Sequence, residues 1–380
     1  MSGATFNVEF TPSGETFDVS PGETVLDAAL RQGVQIRYGC RAGKCSTCKF
    51  QIEDGEIDHG DVSVYSLPDA ERDEGWGLLC RARPLTDLLI RDNRPPDLRV
   101  RPLLPPREID ARIAGVRSLT PELVELRLTL DEPLDFYAGQ FVDLGLRHHR
   151  SPDEVREGSS TGAGLPDFVR ATGGAEPVDA IWRSYSIATP PSSRFELSFV
   201  IKRIAGGAFS SRVGDVSPGA AVRLRGPYGD GYLRAGDRPV LMCAIGSGIA
   251  PILSMLHEAA ETKDPRPFLF YYGARSAADV PHHAEIAALF ANGLAPGSKF
   301  VPTLDGIDAN DPWTGERGNV TQAIQRGVQE QAHLCDAYLC GAPPMCDAVA
   351  RLLQAKGLSE QSLFMDRFFA TSKSEATTTI

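Results

Sequence analysis

The stretch Gly39-Cys40-Arg41-Ala42-Gly43-Lys44-Cys45-Ser46-Thr47-Cys48 carries three of the eight cysteines of this chain. A fourth follows in Gly77-Leu78-Leu79-Cys80-Arg81. The spacing C-x4-C-x2-C with a distant fourth cysteine is one that holds an iron–sulfur cluster through thiolates. Gly39 and Gly43 suit a loop that wraps tightly around a small group, because glycine tolerates unusual backbone angles. We therefore predict four metal ligands: Cys40, Cys45, Cys48 and Cys80.

Zinc is the competing interpretation of these cysteines. Structural zinc sites usually have C-x2-C pairs at two places in the chain. Here one such pair is present, Cys45 and Cys48, and the extra cysteine precedes it. The spacing therefore favours an iron–sulfur cluster over zinc or unligated thiols. We expect Cys243, Cys335 and Cys346 to be small buried apolar residues, which is the common fate of free cysteine.

The bulk composition indicates a globular protein of several domains. A length of 380 residues suggests two to four domains, and 42% hydrophobic with 23% charged residues is ordinary for a globular chain. No apolar run reaches the roughly 18 residues needed to cross a bilayer, and the N-terminus does not resemble a signal peptide. We expect a cytoplasmic protein without a membrane partner. The net charge of −11 argues against a nucleic-acid partner.

Residues 1–92 hold 16 acidic and 9 basic residues, for a net charge of −7. Four of the basic residues nevertheless crowd the cysteine loop: Arg37, Arg41, Lys44 and Lys49. A solvated acidic surface is the simplest interpretation of the imbalance. Alternatively, the basic residues offset the negative charge of the cluster, which favours its reduced form.

The chain divides into four segments by its hydrophobic pattern. Residues 1–92 give short alternating strands and one helix, and the proline-rich stretch 93–107 predicts a linker. Residues 108–235 read as strands separated by Gly and Pro, which predicts a small antiparallel barrel. Residues 236–380 alternate apolar strands with helical stretches, which predicts a parallel sheet flanked by helices. The fold class is thus multidomain, with α+β and α/β units.

The first segment resembles plant-type ferredoxins of the β-grasp fold. The resemblance rests on its order of hairpin, helix at Thr24–Leu30, cysteine loop and strand at Lys49–Glu53. It implies a 2Fe-2S cluster, with Cys80 as the fourth ligand.

The third segment carries the string Arg183-Ser184-Tyr185-Ser186, followed by Gly206-Gly207-Ala208-Phe209-Ser210. A Gly-Gly turn before a helix start offers free backbone N–H groups to a phosphate, and Ser210 adds a hydroxyl. Tyr137–Phe141 and Gly226–Gly229 complete a resemblance to the flavin domain of the ferredoxin–NADP reductase superfamily. The resemblance implies a six-stranded barrel that binds FAD, with Arg183 at the pyrophosphate, Tyr185 on the ring and Ser186 near flavin N5. Ser184 and Lys202 are the other cofactor-binding residues that we predict in this segment.

Residues 147–180, rich in Gly, Ser, Asp and Glu, separate the Gly-Gln-Phe strand from the flavin string, where the family usually has a short loop. We expect a disordered surface insertion. A role in partner docking is the less favoured alternative.

The last segment carries Gly246-Ser247-Gly248-Ile249-Ala250-Pro251 between a strand and a helix. Pro251 occupies the place of the third glycine of the usual dinucleotide fingerprint, so the match to that fingerprint is incomplete. The string does resemble the nicotinamide domain of the same superfamily, with a Rossmann-like sheet. That resemblance implies that Cys340 assists hydride transfer and that Phe369, or Phe368, is the terminal aromatic near the flavin. Cys340 as a buried apolar residue is the alternative.

The choice between NADH and NADPH depends on charge, because a 2′-phosphate needs cations. Asp305 would repel that phosphate and could accept hydrogen bonds from ribose hydroxyls. Arg275 argues in the other direction. We predict NADH.

The order ferredoxin, flavin unit, nicotinamide unit resembles the reductase components of bacterial multicomponent oxygenases. The resemblance implies transfer from NADH through FAD to 2Fe-2S and on to a hydroxylase, with Cys340 and Ser186 as catalytic residues. A flavin is needed between NADH and the cluster, because a hydride delivers two electrons and the cluster accepts one. The hydroxylase is expected to be a soluble di-iron monooxygenase, with a ring-hydroxylating dioxygenase as the alternative. An oxidoreductase for a small acceptor and a redox sensor without turnover are two further alternatives.

Overall fold

The computed structural model describes residues 5–92, 99–147, 180–204, 210, 213–214, 216–328 and 332–369. Residues 148–179 of the predicted insertion, the Gly-Gly turn at 206–207 with its neighbours 208–209, and the last eleven residues lie outside these ranges. Three large sheets make up the described fold. No helix among the described residues has the length and apolar character needed to cross a membrane.

The first sheet has five strands and one covering helix. Its strands are β1 (Phe6–Thr11), β2 (Glu15–Val19), β3 (Lys49–Asp54), β5 (Trp76–Leu78) and β7 (Leu88–Arg91); β4 (Ile57–Asp58) and β6 (Arg83–Pro84) form a small separate pair, and the helices are α1 (Val25–Arg31) and α2 (Asp69–Asp73). The strand order is β2-β1-β7-β3-β5, with β1 and β7 parallel. Thr24 caps α1, since its hydroxyl accepts the N–H of Asp27 at 3.2 Å. The apolar residues of α1 are buried in one cluster with those of the sheet, and the cysteine loop at 39–48 leads directly into β3.

The second sheet is antiparallel and nearly closed. Its strands are β8 (Arg107–Ser118), β9 (Leu123–Leu130), β10 (Phe141–Arg147), β11 (Ala180–Ser186), β12 (Glu196–Lys202) and β13 (Ala221–Tyr228), in the order β11-β10-β13-β8-β9-β12. A bridge between Ile187 and Phe199 joins the two ends of this order. The predicted six-stranded barrel is thereby confirmed, and the flavin string lies on β11 next to the closing seam.

The third sheet is parallel and carries helices on both faces. Its strands are β14 (Val240–Ile245), β15 (Phe268–Ala274), β16 (Lys299–Leu304), β17 (Glu316–Arg317), β18 (Asp336–Gly341) and β19 (Leu363–Arg367); the helices are α3 (Ile249–Thr262), α4 (His283–Ala288), α5 (Val320–Gly327) and α6 (Pro343–Ala355). The order β17-β16-β15-β14-β18-β19 confirms the predicted Rossmann-like unit. The carboxyl ends of β14, β18 and β19 meet at one edge, where ligands bind in such sheets.

Shared apolar clusters hold the three sheets together. Phe141 and Tyr228 of the barrel belong to the apolar cluster of the first unit. Leu123, Val200 and Leu233 belong to the cluster that covers one face of the parallel sheet. The barrel therefore packs against both neighbours, and each interface is continuous with a hydrophobic core. The exact domain limits stay a prediction.

The described part of the linker lies along the nicotinamide unit rather than free in solvent. Arg99 pairs with the buried Asp336 at 2.6 Å, and Arg101 pairs with Glu258 at 3.1 Å. The backbone N–H of Arg101 also donates to the Tyr232 hydroxyl at 2.7 Å. Residues 99–106 form neither helix nor strand, as the prolines predicted. Ion pairs, which the proline pattern does not reveal, fix this segment.

Candidate redox site

The four predicted metal ligands lie near one another in the first unit. Cys45, Cys48 and Cys80 are buried and Cys40 is half-buried. The thiols form two pairs, Cys40 with Cys45 and Cys48 with Cys80. Within the described ranges, no three His, Cys, Asp or Glu side chains converge on a position suited to one metal ion. Two pairs of thiols fit a cluster in which each of two irons takes two thiolates better than they fit a single zinc ion.

Backbone and hydroxyl donors surround the sulfur atoms. The N–H of Cys40 points at Cys45 Sγ at 3.3 Å, and the N–H of Ala42 points at Cys40 Sγ at 3.4 Å. Hydrogen bonds from the Cys40 thiol and from Thr47 lower the pKa of Cys45 to about 5, against the effect of burial. Because donors of this kind stabilise negative sulfur, the loop suits thiolate ligands.

The loop conformation is set by residues that a later segment holds in place. Arg41 and Ser46 have left-handed backbone angles, with φ of 53° and 60°. The N–H of Ser63 donates to Gly43 O at 3.0 Å, and Ser66 Oγ donates to Lys44 O at 2.6 Å. A Cβ at Gly43 would lie 2.8 Å from Asp61 O, so this position requires glycine. Close packing of the 61–66 segment on the loop therefore explains why residue 43 is a glycine.

Two adjacent residues of β19 contact the other two units. Ser186 Oγ, in the flavin string, donates to Asp366 Oδ2 at 3.1 Å. The next residue, Arg367, donates from Nη1 to the carbonyl of Cys45 at 3.2 Å and pairs with Asp347 at 2.8 Å. The cluster loop, the flavin string and the last strand of the parallel sheet therefore meet within two residues of β19.

Cys340 completes this junction from the neighbouring strand. It pairs in register with Asp366 on one side and Ala244 on the other. Burial raises the pKa of Cys340 well above its usual value, and the Asp366 carboxyl adds to the rise. Burial likewise raises the pKa of Asp366 to about 7, while the hydrogen bond from Ser186 opposes the shift. At neutral pH the thiol of Cys340 stays protonated, and Asp366 is poised to hold or release a proton.

A cleft of about 460 Å³ opens beside the junction. The first unit lines it with Tyr38 and Cys45, the barrel with Gly139, and the nicotinamide unit with Asp366 and Arg367. All three units therefore border one space, and groups held by different units can approach each other there.

The flavin string lies on β11 with its side chains alternating in direction. Tyr185 is half-buried and packs on the barrel core, and burial raises its pKa while Arg183 opposes the shift. Arg183 Nη1 donates to Trp182 O at 2.7 Å, and Ser184 Oγ donates to Asp143 Oδ1 at 2.6 Å. A guanidinium, an aromatic ring and a hydroxyl on one strand fit the phosphate, ring and polar edge of a flavin.

Two other predicted flavin residues have protein partners. Ser210 is buried and its Oγ accepts the N–H of Ile204 at 3.3 Å. Lys202 is exposed at the end of β12 and pairs with Glu122 at 2.9 Å. The predicted phosphate contacts at Gly206, Gly207, Ala208 and Phe209 lie outside the described residues.

The predicted nicotinamide turn lies at the carboxyl end of β14. Gly246–Gly248 form a single 3-10 turn that leads directly into α3, with Pro251 buried in its first turn. A Cβ at Gly248 would lie 2.1 Å from Cys340 O, so only glycine allows the turn to pack on β18. The positive end of the dipole of this 14-residue helix lies at the carboxyl edge of the sheet, which suits a diphosphate.

Arg275 and Asp305 are brought together although 30 residues separate them. They follow β15 and β16, and the N–H of Gly306 donates to Arg275 O at 3.0 Å. Both side chains are exposed at the carboxyl edge of the sheet. Phe369 is half-buried just beyond β19, after Phe368, whose N–H donates to Gly341 O at 2.8 Å.

Three family descriptions match successive parts of the chain. A 2Fe-2S iron–sulfur cluster binding domain matches residues 8–85, an oxidoreductase FAD-binding domain matches 168–232, and an oxidoreductase NAD-binding domain matches 242–351. The reductase component of phenol 2-monooxygenase from Pseudomonas sp. strain CF600 is 33% identical, over 97% of this chain and 95% of that protein. The reductase component of propane 2-monooxygenase from Mycolicibacterium smegmatis is 35% identical, over 95% and 96%.

The chain belongs to the family of monooxygenase reductase components. Among solved structures, a cytochrome P450 reductase from Amycolatopsis superposes on this reductase with a TM-score of 0.77 and 29% identity, over 97% of this chain and all of that one. The ferredoxin reductase in carbazole 1,9a-dioxygenase superposes with a TM-score of 0.68 at 24% identity and shows the shared fold. The reductase is thus an oxidoreductase with 2Fe-2S, FAD and NAD units, as its sequence predicted.

Sequence reasoning missed three residues that join the units of the reductase: Asp143, Asp366 and Arg367. Near the end of the chain the sequence pointed to Phe368 and Phe369, and not to Asp366 before them. The available signal was the charged pair Asp366 and Arg367 at the end of an otherwise apolar strand. Charged residues are rarely buried without a partner, so this pair could have indicated contacts with other parts of the chain.

Proposed function

We propose that this reductase takes electrons from NADH and delivers them, through FAD and its 2Fe-2S cluster, to the hydroxylase component of a soluble di-iron monooxygenase. FAD accepts two electrons together and releases them singly, and the cluster carries one electron at a time. The relatives named for phenol and propane monooxygenases support this partner class. A cytoplasmic location, without membrane or nucleic-acid partners, is part of the proposal.

The contact of β19 with both neighbours carries the proposal. Ser186 Oγ lies 3.1 Å from Asp366 Oδ2, and Arg367 Nη1 lies 3.2 Å from Cys45 O. A nicotinamide unit whose last strand contacts both the flavin string and the cluster loop suits transfer within one chain. A sensor without turnover has no need for this arrangement.

These positions support the following residue roles. Cys40, Cys45, Cys48 and Cys80 would hold the cluster, and Arg183, Ser184, Tyr185, Ser186 and Ser210 would hold FAD. Gly246, Gly248 and Pro251 would position the dinucleotide phosphates. Ser186 and Cys340 would contact the reacting ring edges, with Asp366 holding Ser186 in place. Asp305 disfavours a 2′-phosphate, which supports NADH.

Purified protein tests the proposal directly. We expect flavin absorbance, about two irons per chain, and a kcat/KM for NADH at least roughly tenfold above that for NADPH. Addition of a di-iron hydroxylase component from the same operon should give NADH-dependent reduction of its iron. Zinc in place of iron, or protein without flavin, would exclude the proposed path.

A cytochrome P450 is the second candidate partner. The solved Amycolatopsis structure that is 29% identical to this chain is described as a cytochrome P450 reductase, which supports this second class of partner. Parallel assays with a P450 and with a di-iron hydroxylase, each at equal concentration, separate the two. Faster reduction of the P450 would replace the di-iron partner and leave the electron path intact.

A further inference from the structure

Arg41 lies inside the cluster loop and reaches out of its own unit. Its guanidinium pairs with Asp27 of α1 at 3.1 Å and with Asp143 of the barrel at 2.8 Å. It also lies over the ring of Tyr228, 3.7 Å from the centroid. One side chain from the cluster loop therefore contacts an acid and an aromatic ring of the flavin-binding barrel.

Both barrel partners of Arg41 are close to the flavin string. Asp143 pairs in register with Ser184 and accepts its hydroxyl at 2.6 Å. Tyr228 packs against Phe141, with the ring centroids 5.8 Å apart. A continuous path of contacts thus leads from Arg41 through Asp143 to Ser184, the residue between Arg183 and Tyr185.

The contact of Arg41 with Asp143 is shorter than the neighbouring ion pair of Arg37 with Asp230 at this interface. The side chains of Arg41 and Asp143 are 21% and 20% exposed, and they lie within hydrogen-bonding distance. Arg37 and Asp230 are 3.7 Å apart, beyond hydrogen-bonding distance. Charge-assisted hydrogen bonds in a half-buried setting are the stronger kind, and a guanidinium also stacks on an aromatic face.

We propose that Arg41 is a positioning residue that fixes the cluster loop in one docked arrangement against the flavin-binding strand. The inference rests on the proposed function and adds a residue that neither binds iron nor touches the nucleotide. Without Arg41 the apolar contacts at Phe141 and Tyr228 remain, but the orientation they allow is less restricted. The docked population then falls, and electrons reach the cluster less often.

The first test measures shape, using holoprotein with full flavin and iron content. Small-angle scattering of Arg41→Gln should give a larger radius of gyration than wild type, and Arg41→Lys should lie between them. Arg31→Gln is the matched control, since Arg31 pairs only within the first unit, with Glu23 at 2.9 Å. The control should scatter as wild type does.

The second test measures the rates of flavin reduction and of cluster reduction, each from its own absorbance change after mixing with NADH. Flavin reduction should keep its wild-type rate in Arg41→Gln, while cluster reduction slows by roughly tenfold or more. Added salt should slow cluster reduction in wild type and leave Arg41→Gln unchanged, because the ion pair is then already absent. A general loss of folding would slow both steps and would not respond to Arg41→Lys.

Wild-type scattering and wild-type cluster reduction in Arg41→Gln would overturn the inference. If Arg41→Gln does not take up iron, Tyr228→Leu tests the same contact from outside the loop. An unchanged rate of cluster reduction in Tyr228→Leu would also overturn the inference. Failure of the proposed function itself has a different signature, namely no flavin reduction by NADH in wild type.

Discussion

Ser186 and Asp366 are 180 residues apart in the chain and share a hydrogen bond of 3.1 Å. This bond connects the flavin string of the barrel to the last strand of the nicotinamide unit. It also lies one residue from Arg367, which contacts the cluster loop. The three units of the reductase thus have a common junction.

Removal of the Ser186 hydroxyl should slow flavin reduction by NADH. Ser186→Ala loses the donor to Asp366 and the polar group proposed to face the flavin, so we expect a rate lower by roughly hundredfold with FAD still bound. Stopped-flow absorbance measures it. Ser192→Ala is the control, since Ser192 also links barrel and nicotinamide unit, through Glu261 at 3.0 Å. Equal rates in both variants would rule out a special role for Ser186.

Asp366 should make stability depend on pH. Its pKa in the folded protein is about 7, above the ordinary value of 3.8, so the folded state binds the extra proton between these values. The stabilisation by this proton is present below about pH 4 and is lost as pH rises through 7. Asp366→Asn should therefore be more stable than wild type at pH 8, by up to about 4 kcal/mol, and closer to it at pH 5.

Thermal unfolding of the holoprotein at both pH values measures this difference. Asp347→Asn serves as the control, because Asp347 forms a surface pair with Arg367. Its stability offset from wild type should be similar at pH 5 and pH 8. A pH-independent offset for Asp366→Asn would contradict the raised pKa.

Loss of one ligand should remove the cluster and spare the flavin chemistry. Cys45→Ser should fall from about two irons per chain to nearly none, because each thiolate supplies a quarter of the ligand set. Reduction of ferricyanide by NADH should continue, while reduction of the hydroxylase stops. Cys335→Ser, at a buried thiol whose Sγ donates to Ala332 O at 3.1 Å, should keep its iron. If ferricyanide reduction also stops with FAD bound, the cluster is not the exit.

A methyl group at Gly248 should disrupt the nicotinamide site. Its Cβ would lie 2.1 Å from Cys340 O and 2.8 Å from Gly341 N, and these backbone atoms cannot yield as a side chain does. We expect Gly248→Ala to lose about 1–3 kcal/mol of unfolding free energy and to raise the KM for NADH. Gly231→Ala, with no atom within 4 Å of its Cβ, is the control. Equal KM values in the two variants would contradict the close packing.

Neutralising Asp305 should improve the use of NADPH. Asp305→Asn leaves Arg275 as the nearby charge at the carboxyl edge, so kcat/KM for NADPH should rise by roughly tenfold relative to NADH. Asp308→Asn, at an exposed acid three residues later, should leave the ratio unchanged. If the ratio of kcat/KM for NADPH to that for NADH is unchanged in Asp305→Asn, Asp305 does not face the ribose that carries the 2′-phosphate.

The sequence by itself determined the local features of this protein. Cysteine spacing identified four thiols that the structure brings together in two pairs, and the alternation of Leu123–Leu130 gave β9 with its observed bounds. The order of three motifs gave the three folds in their correct order. These signals are local, because ligand spacing and strand periodicity act over a few residues.

Only the tertiary structure decided which distant residues meet. Cys45, Ser186 and Asp366 come together because the barrel shares apolar clusters with both neighbours, and no periodicity encodes those interfaces. Arg41 was expected only to add positive charge near the cluster, yet it pairs with Asp143 across a domain boundary. Lys202 was expected at the cofactor and pairs with Glu122. The physical reason is that charge partners depend on long-range packing, which places side chains beside each other regardless of their separation in sequence.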